Sequence, residues 1–269
     1  MLGSSRESLA ACSAALDARR QAPGFDALAG QLYAVAAVLD DNSQLRSTLA
    51  DSGQPASVRQ SLVRDILGGK VDDLTLDVVA EAVERRWSDD VDLVIALEQL
   101  AAQAAFTVAE TDGTLDATEE EIFRFGRAVD ASAALQMALG DPAQTPTTKA
   151  AIVRDLLQGR ATAATRQVLE SSVGRLHGQR LDAAIDTLCE LAARQRDRVV
   201  AEVRVAAPLT EEQTRRLAAA LSTLKGRTVR LNVAIDPSVM GGVHVTIGDE
   251  VIDGTIASRL EQARRAVLG

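Results

Sequence analysis

The chain has 269 residues, enough for about two or three domains, and a net charge of −9. Such an acidic surface repels a phosphate backbone and disfavours unspecific binding to anionic lipid, which argues against a nucleic-acid partner and against any membrane contact that does not go through another protein. Hydrophobic residues make up 46% of the chain but aromatic residues only 2%, which predicts a core of Ala, Leu and Val in closely packed helices.

Membrane and secretion signals are missing from the sequence. No run of about eighteen or more apolar residues occurs, so we expect no membrane-spanning helix. Residues 1–10 do not have the pattern of a signal peptide, and we expect a cytoplasmic protein. Cys12 and Cys189 lie far apart in apolar stretches, where we expect reduced thiols rather than a disulfide.

The first two-thirds of the chain repeats itself at an offset of 90 residues. Leu62–Leu67 has the sequence LVRDIL, and Ile152–Leu157 has the sequence IVRDLL. Without gaps, sixteen of the 56 positions from 40 to 95 are identical with their partners in 130–185. We interpret these segments as two copies of one helical unit rather than as helices of similar composition.

Apolar residues recur at helical spacing in both copies, which predicts one buried face for each helix. Examples are Leu28, Leu32, Ala36 and Leu39 in the first copy, and Leu181, Ile185, Leu188 and Ala192 in the second. Helices are predicted over Ser57–Leu67 and Thr147–Leu157, after matching loops. Gly69 and Gly159 follow these two helices and are typical of helix C-termini.

The second copy is predicted to begin after a short polar turn, Thr111–Thr114. Thr118-Glu119-Glu120-Glu121 has the pattern of a capping box, so we expect the first helix of this copy to start there. Three consecutive carboxylates in a first helical turn favour a solvated face rather than a set of metal ligands.

The last third changes its period. Val199–Val205 alternates as a strand, and Pro208 ends it. Thr210-Glu211-Glu212-Gln213 is a second capping-box pattern, and it opens a helix that Lys225-Gly226 closes. The first strand, this helix and the next strand favour a parallel crossover.

Two longer strands, a short strand and a helix complete the predicted C-terminal domain. Val229, Leu231, Val233 and Ile235 share one face of the second strand, and Val243, Val245 and Ile247 share one face of the third. Gly248-Asp249 predicts a tight turn into a short strand, Glu250–Ile252. The final helix presents Ile256, Leu260, Ala263 and Val267 on one side.

The sequence has no motif of a nucleophile elbow and no phosphate-binding loop that ends in Gly-Lys-Ser or Gly-Lys-Thr. His177 takes the repeat position of Trp87, which suggests a packing role, and His244 is expected to be exposed on the polar face of a strand. Gly241-Gly242 precedes a strand with no basic neighbour, which favours a turn with unusual backbone angles over a phosphate site. We expect no catalytic residue, cofactor or metal.

The stretch from Leu231 to Gly254 resembles the signature of the delta subunit family of F-type ATP synthases, whose mitochondrial member is called the oligomycin-sensitivity-conferring protein. The shared pattern is a hydrophobic strand, Asp-Pro-Ser, two apolar residues, Gly-Gly, an alternating strand, Gly-Asp, and Asp-Gly before a final helix. Ala207–Gln213 is similar to the family's entry into this domain.

The resemblance covers most of the chain. Residues 118–269 are similar to most of an ordinary family member, and residues 4–110 are similar to its helical domain again. This duplication is a departure from the shorter, typical members, and it resembles the long forms of actinobacteria, in keeping with the Arg- and Ala-rich composition.

The predicted fold is mostly α with a small α/β C-terminal domain: two tandem helical bundles, residues 1–110 and 111–198, and then a strand–helix–strand–strand–helix domain, residues 199–269. The resemblance implies a non-catalytic stator subunit in the peripheral stalk of a proton-translocating synthase, on the cytoplasmic face of the plasma membrane. Its implied partners are the N-terminal helices of alpha subunits, which contact the helical part, and a b-type stalk subunit, which contacts the C-terminal domain. Which helical copy contacts alpha stays open.

The resemblance also singles out residues for partner binding or for structural turns: Asp236, Pro237, Val239, Met240, Gly241, Gly242, Gly248, Asp253 and Gly254. Two other functions stay open at this point. A stand-alone helical-repeat scaffold would lack alpha and b-type partners on purification, and an enzyme using the Gly-rich loop would bind nucleotide or phosphate.

Overall fold

The structure is a computed structural model that describes the chain outside residues 2, 158, 197–198, 226–228, 237–238, 240, 248–249 and 254–269. It divides the chain into two compact units, residues 1–196 and 197–269. The first is helical and the second holds a small mixed sheet, so the predicted fold class is confirmed. The predicted last helix lies outside the described residues.

Helices of 8 to 22 residues fill the first unit, joined by short turns. They are α1 (Gly3–Ala18), α2 (Phe25–Asp41), α3 (Ser43–Ala50), α4 (Ala56–Leu67), α5 (Asp73–Glu84), α6 (Asp90–Thr111), α7 (Leu115–Asp130), α8 (Ala133–Gly140), α9 (Pro146–Leu157), α10 (Ala163–Gly174) and α11 (Leu181–Arg196).

The repeat is visible in the structure, because α2–α6 recur as α7–α11 at the offset of 90 residues. The predicted helices at 57 and 147 each begin one residue earlier, at Ala56 and Pro146. Val63 and Val153, the valines of the shared VRD motif, are both fully buried. The two copies therefore use the same side chains to build the same interior.

Loops between the helices repeat as well. Asp51 and Asp141 each accept a hydrogen bond from a backbone N–H two residues later, and both distances are 2.8 Å. Gly69 and Gly159 follow α4 and α9 with φ of +72° and +67°, the left-handed conformation that glycine adopts at helix C-termini. The predicted helix ends are confirmed.

The predicted start of the first helix of the second copy is wrong. Helix α7 begins at Leu115, and Thr118 is buried inside it with its hydroxyl bonded to the carbonyl of Thr114. The three glutamates that follow are not a solvated first turn: Glu119 pairs with Arg196, and Glu121 accepts hydrogen bonds at the start of α10. Leu115 already faces the core, so the helix extends one turn further back than the capping pattern predicts.

Helix α6 serves both copies. Moving α1 by the repeat offset gives residues 93–108, which lie inside α6. Helix α1 packs on α5 and α6, and α6 packs in the same way on α10 and α11. One buried cluster runs from Cys12 to Ala192 across both copies. Whether residues 1–110 and 111–198 fold as separate domains stays a prediction.

By length and composition alone, α6 is apolar enough to cross a membrane, but most of it is buried inside the helical unit. Fourteen of its residues are buried, among them Leu93, Leu97 and Phe106. A helix that closes one bundle and opens the next is covered on most sides, which accounts for its apolar composition.

In the second unit, the described elements are β1 (Val199–Val205), α12 (Glu211–Lys225), β2 (Val229–Ile235), β3 (Val243–Ile247) and β4 (Glu250–Asp253). The strand order is β2-β1-β3-β4. β1 and β2 are parallel, as the crossover predicted, and the other neighbours are antiparallel.

The predicted capping box of α12 is confirmed. The hydroxyl of Thr210 accepts from the N–H of Gln213, and the side chain of Gln213 accepts from the N–H of Thr210. Leu217 and Leu221 of this helix pack on the sheet, where Val203 and Val245 are buried.

Candidate partner-binding surfaces

The turn between β2 and β3 holds four of the predicted site residues that the structure describes. The N–H of Asp236 donates to the carbonyl of Val205, the N–H of Val239 donates to Asp236, and that of Gly241 donates to Val239, at 2.9, 3.1 and 2.9 Å. Gly241 and Gly242 have φ of +74° and +83°, backbone angles that residues with a side chain rarely adopt. This geometry agrees with a turn that needs glycine, while its role in partner binding stays a prediction.

Asp253 lies at the same end of the sheet as this turn. It is the last residue of β4 and stands opposite His244, next to the start of β3. The remaining predicted site residues, Pro237, Met240, Gly248 and Gly254, lie outside the described residues.

His244 is half-buried rather than exposed, which corrects the expectation from the strand alternation. Its Nδ1 atom is buried and has no hydrogen-bond partner among the residues that the structure describes. His244 stands between Arg204 of β1 and Asp253 of β4, so neighbouring strands on both sides reduce its exposure.

An apolar surface that sequence reasoning missed lies on the edge strand β2. Val233 and Ile235 are 37% and 58% exposed, although they share a face with the buried Val203 and Val205 of β1. The alternation predicted the shared face correctly. It could not show that α12 covers only part of the face, near the start of β2, where the N–H of Val229 donates to Ser222.

In the helical unit, α2 packs along α6, and side chains of α10 in the second bundle lie beside it. A Cβ on Gly30 would stand 3.2 Å from the side-chain nitrogen of Gln167, so a side chain of α10 reaches the backbone of α2 at this glycine. The buried hydroxyl of Tyr33 lies beside Ser172, and burial raises the pKa of Tyr33. Helix α2 thus covers one face of α6 and meets α10 through the side chains of Gln167 and Ser172.

The corresponding surface of the first bundle is the outer face of α1, beside α5, and it is exposed. Ala10 and Ala14 on α1 are exposed, whereas Leu100 and Ala104 at the same repeat positions of α6 are fully buried. With Gly3, Glu7 and Ala18, they form one exposed stripe along α1 at helical spacing.

Polar contacts hold α1 firmly on the bundle beneath this stripe. Ser5 donates to Asp92 at 2.7 Å, and the guanidinium of Arg19 lies 2.7 Å from Glu81. The buried Cys12 and Leu16 anchor its inner face, and burial raises the pKa of the Cys12 thiol to about 11. The outer face of α1 is therefore presented on a fixed helix.

His177 has a polar role rather than the packing role that its match with Trp87 suggested. Its side chain is buried, and its Nε2 atom lies 2.9 Å from both carboxylate oxygens of Glu98. The sequence did not reveal this contact, because Glu98 is 79 residues away and its repeat partner is Ser8.

Comparison of the sequence with known proteins identifies one family of relatives. The sequence profile of the ATP synthase delta (OSCP) subunit family matches residues 97–267, so the match begins inside α6. An ATP synthase subunit delta of Streptomyces griseus is 43% identical over the whole of both chains. One of Parafrankia sp. is 40% identical over 99% of each chain.

A solved chain in the cryo-EM structure of the Toxoplasma gondii mitochondrial ATP synthase hexamer is 20% identical and covers 64% of this chain and 98% of its own. Its TM-score of 0.28 is too low to support a structural comparison.

The chain belongs to the ATP synthase delta (OSCP) subunit family. It is an accessory, non-catalytic subunit of a bacterial ATP synthase with a stator role, and it is part of a membrane-associated complex. The surfaces described above are therefore candidates for contacts with other subunits.

Proposed function

We propose that the helical unit holds the catalytic head by binding the N-terminal helix of an alpha subunit in the groove between α1 and α5. The observation that carries this proposal is internal to the chain: α2 lies along α6, the counterpart of α1, and meets side chains of α10, the counterpart of α5. The repeat therefore contains both a filled and an open version of one helix-binding groove.

The filled groove indicates what the open one accepts. Helix α2 presents an apolar face to α6, with Leu28, Leu32 and Leu39 fully or almost fully buried. A partner helix with the same apolar spacing would bury the exposed alanines of α1. Small side chains at Ala10 and Ala14 allow the two helix backbones to approach closely.

This arrangement assigns the two copies different tasks. The first bundle takes the alpha helix, and the second bundle, whose equivalent face on α6 is covered by α2, stiffens the unit. The copies share α6 and one buried core, so force applied at α1 passes into packed helices rather than into a flexible linker.

For the C-terminal unit, we propose that Val233 and Ile235 bind the end of a b-type stalk subunit. Large apolar side chains exposed side by side on an edge strand are typical of a surface that a partner covers. On this account the chain joins head to stalk at the cytoplasmic face of the membrane and resists the torque of the rotor through packed surfaces alone.

The alpha contact is tested by pulling down the catalytic head with variants of the full chain. Ala14→Arg places a charged side chain on the exposed stripe, and we expect at least a tenfold loss of head binding. Ala117→Arg on the exposed side of α7 is the matched control and should bind as wild type. Equal binding by both variants, or a loss confined to Ala117→Arg, contradicts the proposal.

The stalk contact is tested with a second pair of variants, one test and one control. Ile235 and Val251 are 58% and 59% exposed but lie on opposite faces of the sheet. We expect Ile235→Asp to abolish cross-linking to the b-type subunit and Val251→Asp to leave it unchanged. Intact cross-linking in Ile235→Asp would remove β2 from the contact.

A further inference from the structure

The connection between α10 and α11 places His177 in the joint between the two helical copies. Its φ of +48° is the one positive value among non-glycine residues that the structure describes, and its side chain is 5% exposed. Besides contacting Glu98 on α6, the imidazole approaches α2, with Nδ1 3.4 Å from Asp40. One ring from the second copy thus bridges two helices of the first.

A second side chain of the same connection strengthens this bridge. The guanidinium of Arg175 lies 2.6 Å from Asp40 and 2.7 Å from Asp41, and a second nitrogen lies 3.0 Å from Asp41. The pKa of Arg175 is raised and that of Asp41 is lowered, chiefly by their shared hydrogen bonds. The joint is held by ionic contacts that cross between the copies.

The groups that face the imidazole come from every element around it. Glu98 on α6, Asp40 on α2 and Arg175 on its own connection act on the ring directly. Around them lie Asp41 on α2, which pairs with Arg175, Arg46 on α3, which lies 3.9 Å from Asp40, and the hydroxyl of Tyr33 on α2, which lies near Glu98. Carboxylates are the immediate neighbours of both ring nitrogens.

We propose that this cluster is a proton-operated latch: protonated His177 holds the two helical copies together, and loss of its proton loosens the joint. A protonated imidazole has two N–H donors and serves Glu98 and Asp40 at once. A neutral imidazole has one donor, so its other nitrogen turns a lone pair toward a carboxylate, and the positive charge that attracts both Glu98 and Asp40 to the ring is lost.

The acidity of the groups sets the direction of the switch. Burial disfavours the charged imidazole, but the hydrogen bond and charge of Glu98, with the charge of Asp40, outweigh burial and raise the pKa of His177. Burial is also the main cause that raises the pKa of Glu98, against the opposing effect of His177.

Because the pKa of His177 is higher in the folded chain than in the unfolded chain, its stabilising effect is complete below its ordinary value of about 6.5. The effect is lost as the pH rises through the raised value. The latch is therefore closed under mildly acidic conditions and loosens under alkaline ones.

Thermal unfolding of the full chain tests the latch, because Trp87, the one tryptophan in the sequence, is buried in the helical unit and its fluorescence reports that unit alone. We expect His177→Gln to lower the Tm of this unit clearly at pH 6 and by less than half as much at pH 9. His244→Gln, in the other unit, is the control and should leave this Tm unchanged. An equal loss at both pH values would overturn the latch.

A second measurement does not depend on how a variant folds. The wild-type chain has two histidines, so an NMR titration of the imidazoles resolves both, and His244→Gln assigns them. We expect His177 to titrate above its ordinary pKa, and Glu98→Gln to lower that pKa. Titration of His177 at or below the ordinary value, or no change in Glu98→Gln, would overturn the proposal.

Discussion

Gln31 and Glu121 occupy the same repeat position and make the same contact with different chemistry. The side-chain oxygen of Gln31 accepts from the backbone N–H that precedes α5 and from the hydroxyl of Thr75, both at 2.8 Å. A carboxylate oxygen of Glu121 accepts from the N–H that precedes α10, at 2.9 Å, and from Thr165, at 2.6 Å. Each copy thus ties its first long helix to the start of its fourth.

We expect Glu121→Ala to lower the free energy of unfolding by about 1–3 kcal/mol, because a buried hydroxyl and a helix N-terminal N–H lose their acceptor. Glu121→Gln should cost far less, since an amide oxygen makes this contact in the first copy. Urea unfolding followed by helical circular dichroism measures both variants. Glu120→Ala, which breaks an exposed ion pair with Arg124, is the control at about 0.5 kcal/mol or less. An Ala variant at 121 as stable as wild type would contradict the account.

At this scale the sequence predicted local contacts and missed distant ones. Thr210 and Gln213 cap a helix three residues apart, and the pattern predicted them correctly. Thr118 and Glu121 have the same spacing but lie inside α7, where Glu121 bonds to residues more than 40 positions away. A local pattern cannot distinguish a cap from a tertiary contact.

Helix α6 connects the copies because it is the last helix of the first copy and also takes the place of α1 in the second copy. The sequence did not reveal this, since α1 and α6 share only Ala11, Ala14 and Ala15 when aligned at the repeat offset. The two helices differ in composition because they differ in burial. Helix α6 is covered on most sides and must be apolar, whereas α1 is covered on one side only.

We expect Leu97→Ala in α6 to weaken both copies, with a total cost of about 2–5 kcal/mol, because the cavity lies in their shared helix. Hydrogen exchange of the full chain measures this as faster exchange in both α5 and α10. Val63→Ala in α4 is the control and should act mainly on the first copy. Faster exchange confined to one copy in Leu97→Ala would show that the copies are independent.

The exposure of part of the edge strand β2 could not be predicted from the sequence either. Alternation predicted that Val229 and Ile235 share a face, and the strand register agrees. Their exposures of 3% and 58% differ because α12 covers one end of the face and not the other. Coverage depends on where a neighbouring element ends, which alternation does not contain.

For the whole molecule, the backbone geometry of the turn at Gly241 is expected to affect how the complex couples ATP hydrolysis to proton pumping. A valine at φ of +74° is strained, so we expect Gly241→Val to loosen the C-terminal unit and to uncouple ATP hydrolysis from proton pumping in the assembled synthase. The readout is the ratio of pumping to hydrolysis in membrane vesicles. Gly140→Val, at a glycine with open space around it and an ordinary φ, is the control. Normal coupling in Gly241→Val would contradict the prediction.

The class of protein could be predicted from one specific stretch, Leu231–Gly254, together with the repeat. The binding surfaces could not, because they depend on which helix faces stay uncovered after the copies have packed. Ala10 and Ala14 look like ordinary helix residues until their buried repeat partners in α6 are compared with them.

The duplicated helical unit is proposed to hold the head through a single open groove. Calorimetric titration of the full chain with a peptide of the alpha N-terminal helix tests it most directly, since the titration counts binding sites. We predict one site per chain and no binding in Ala14→Arg. Two sites per chain, or one site that survives Ala14→Arg, would show that α1 does not provide a single binding site for the head.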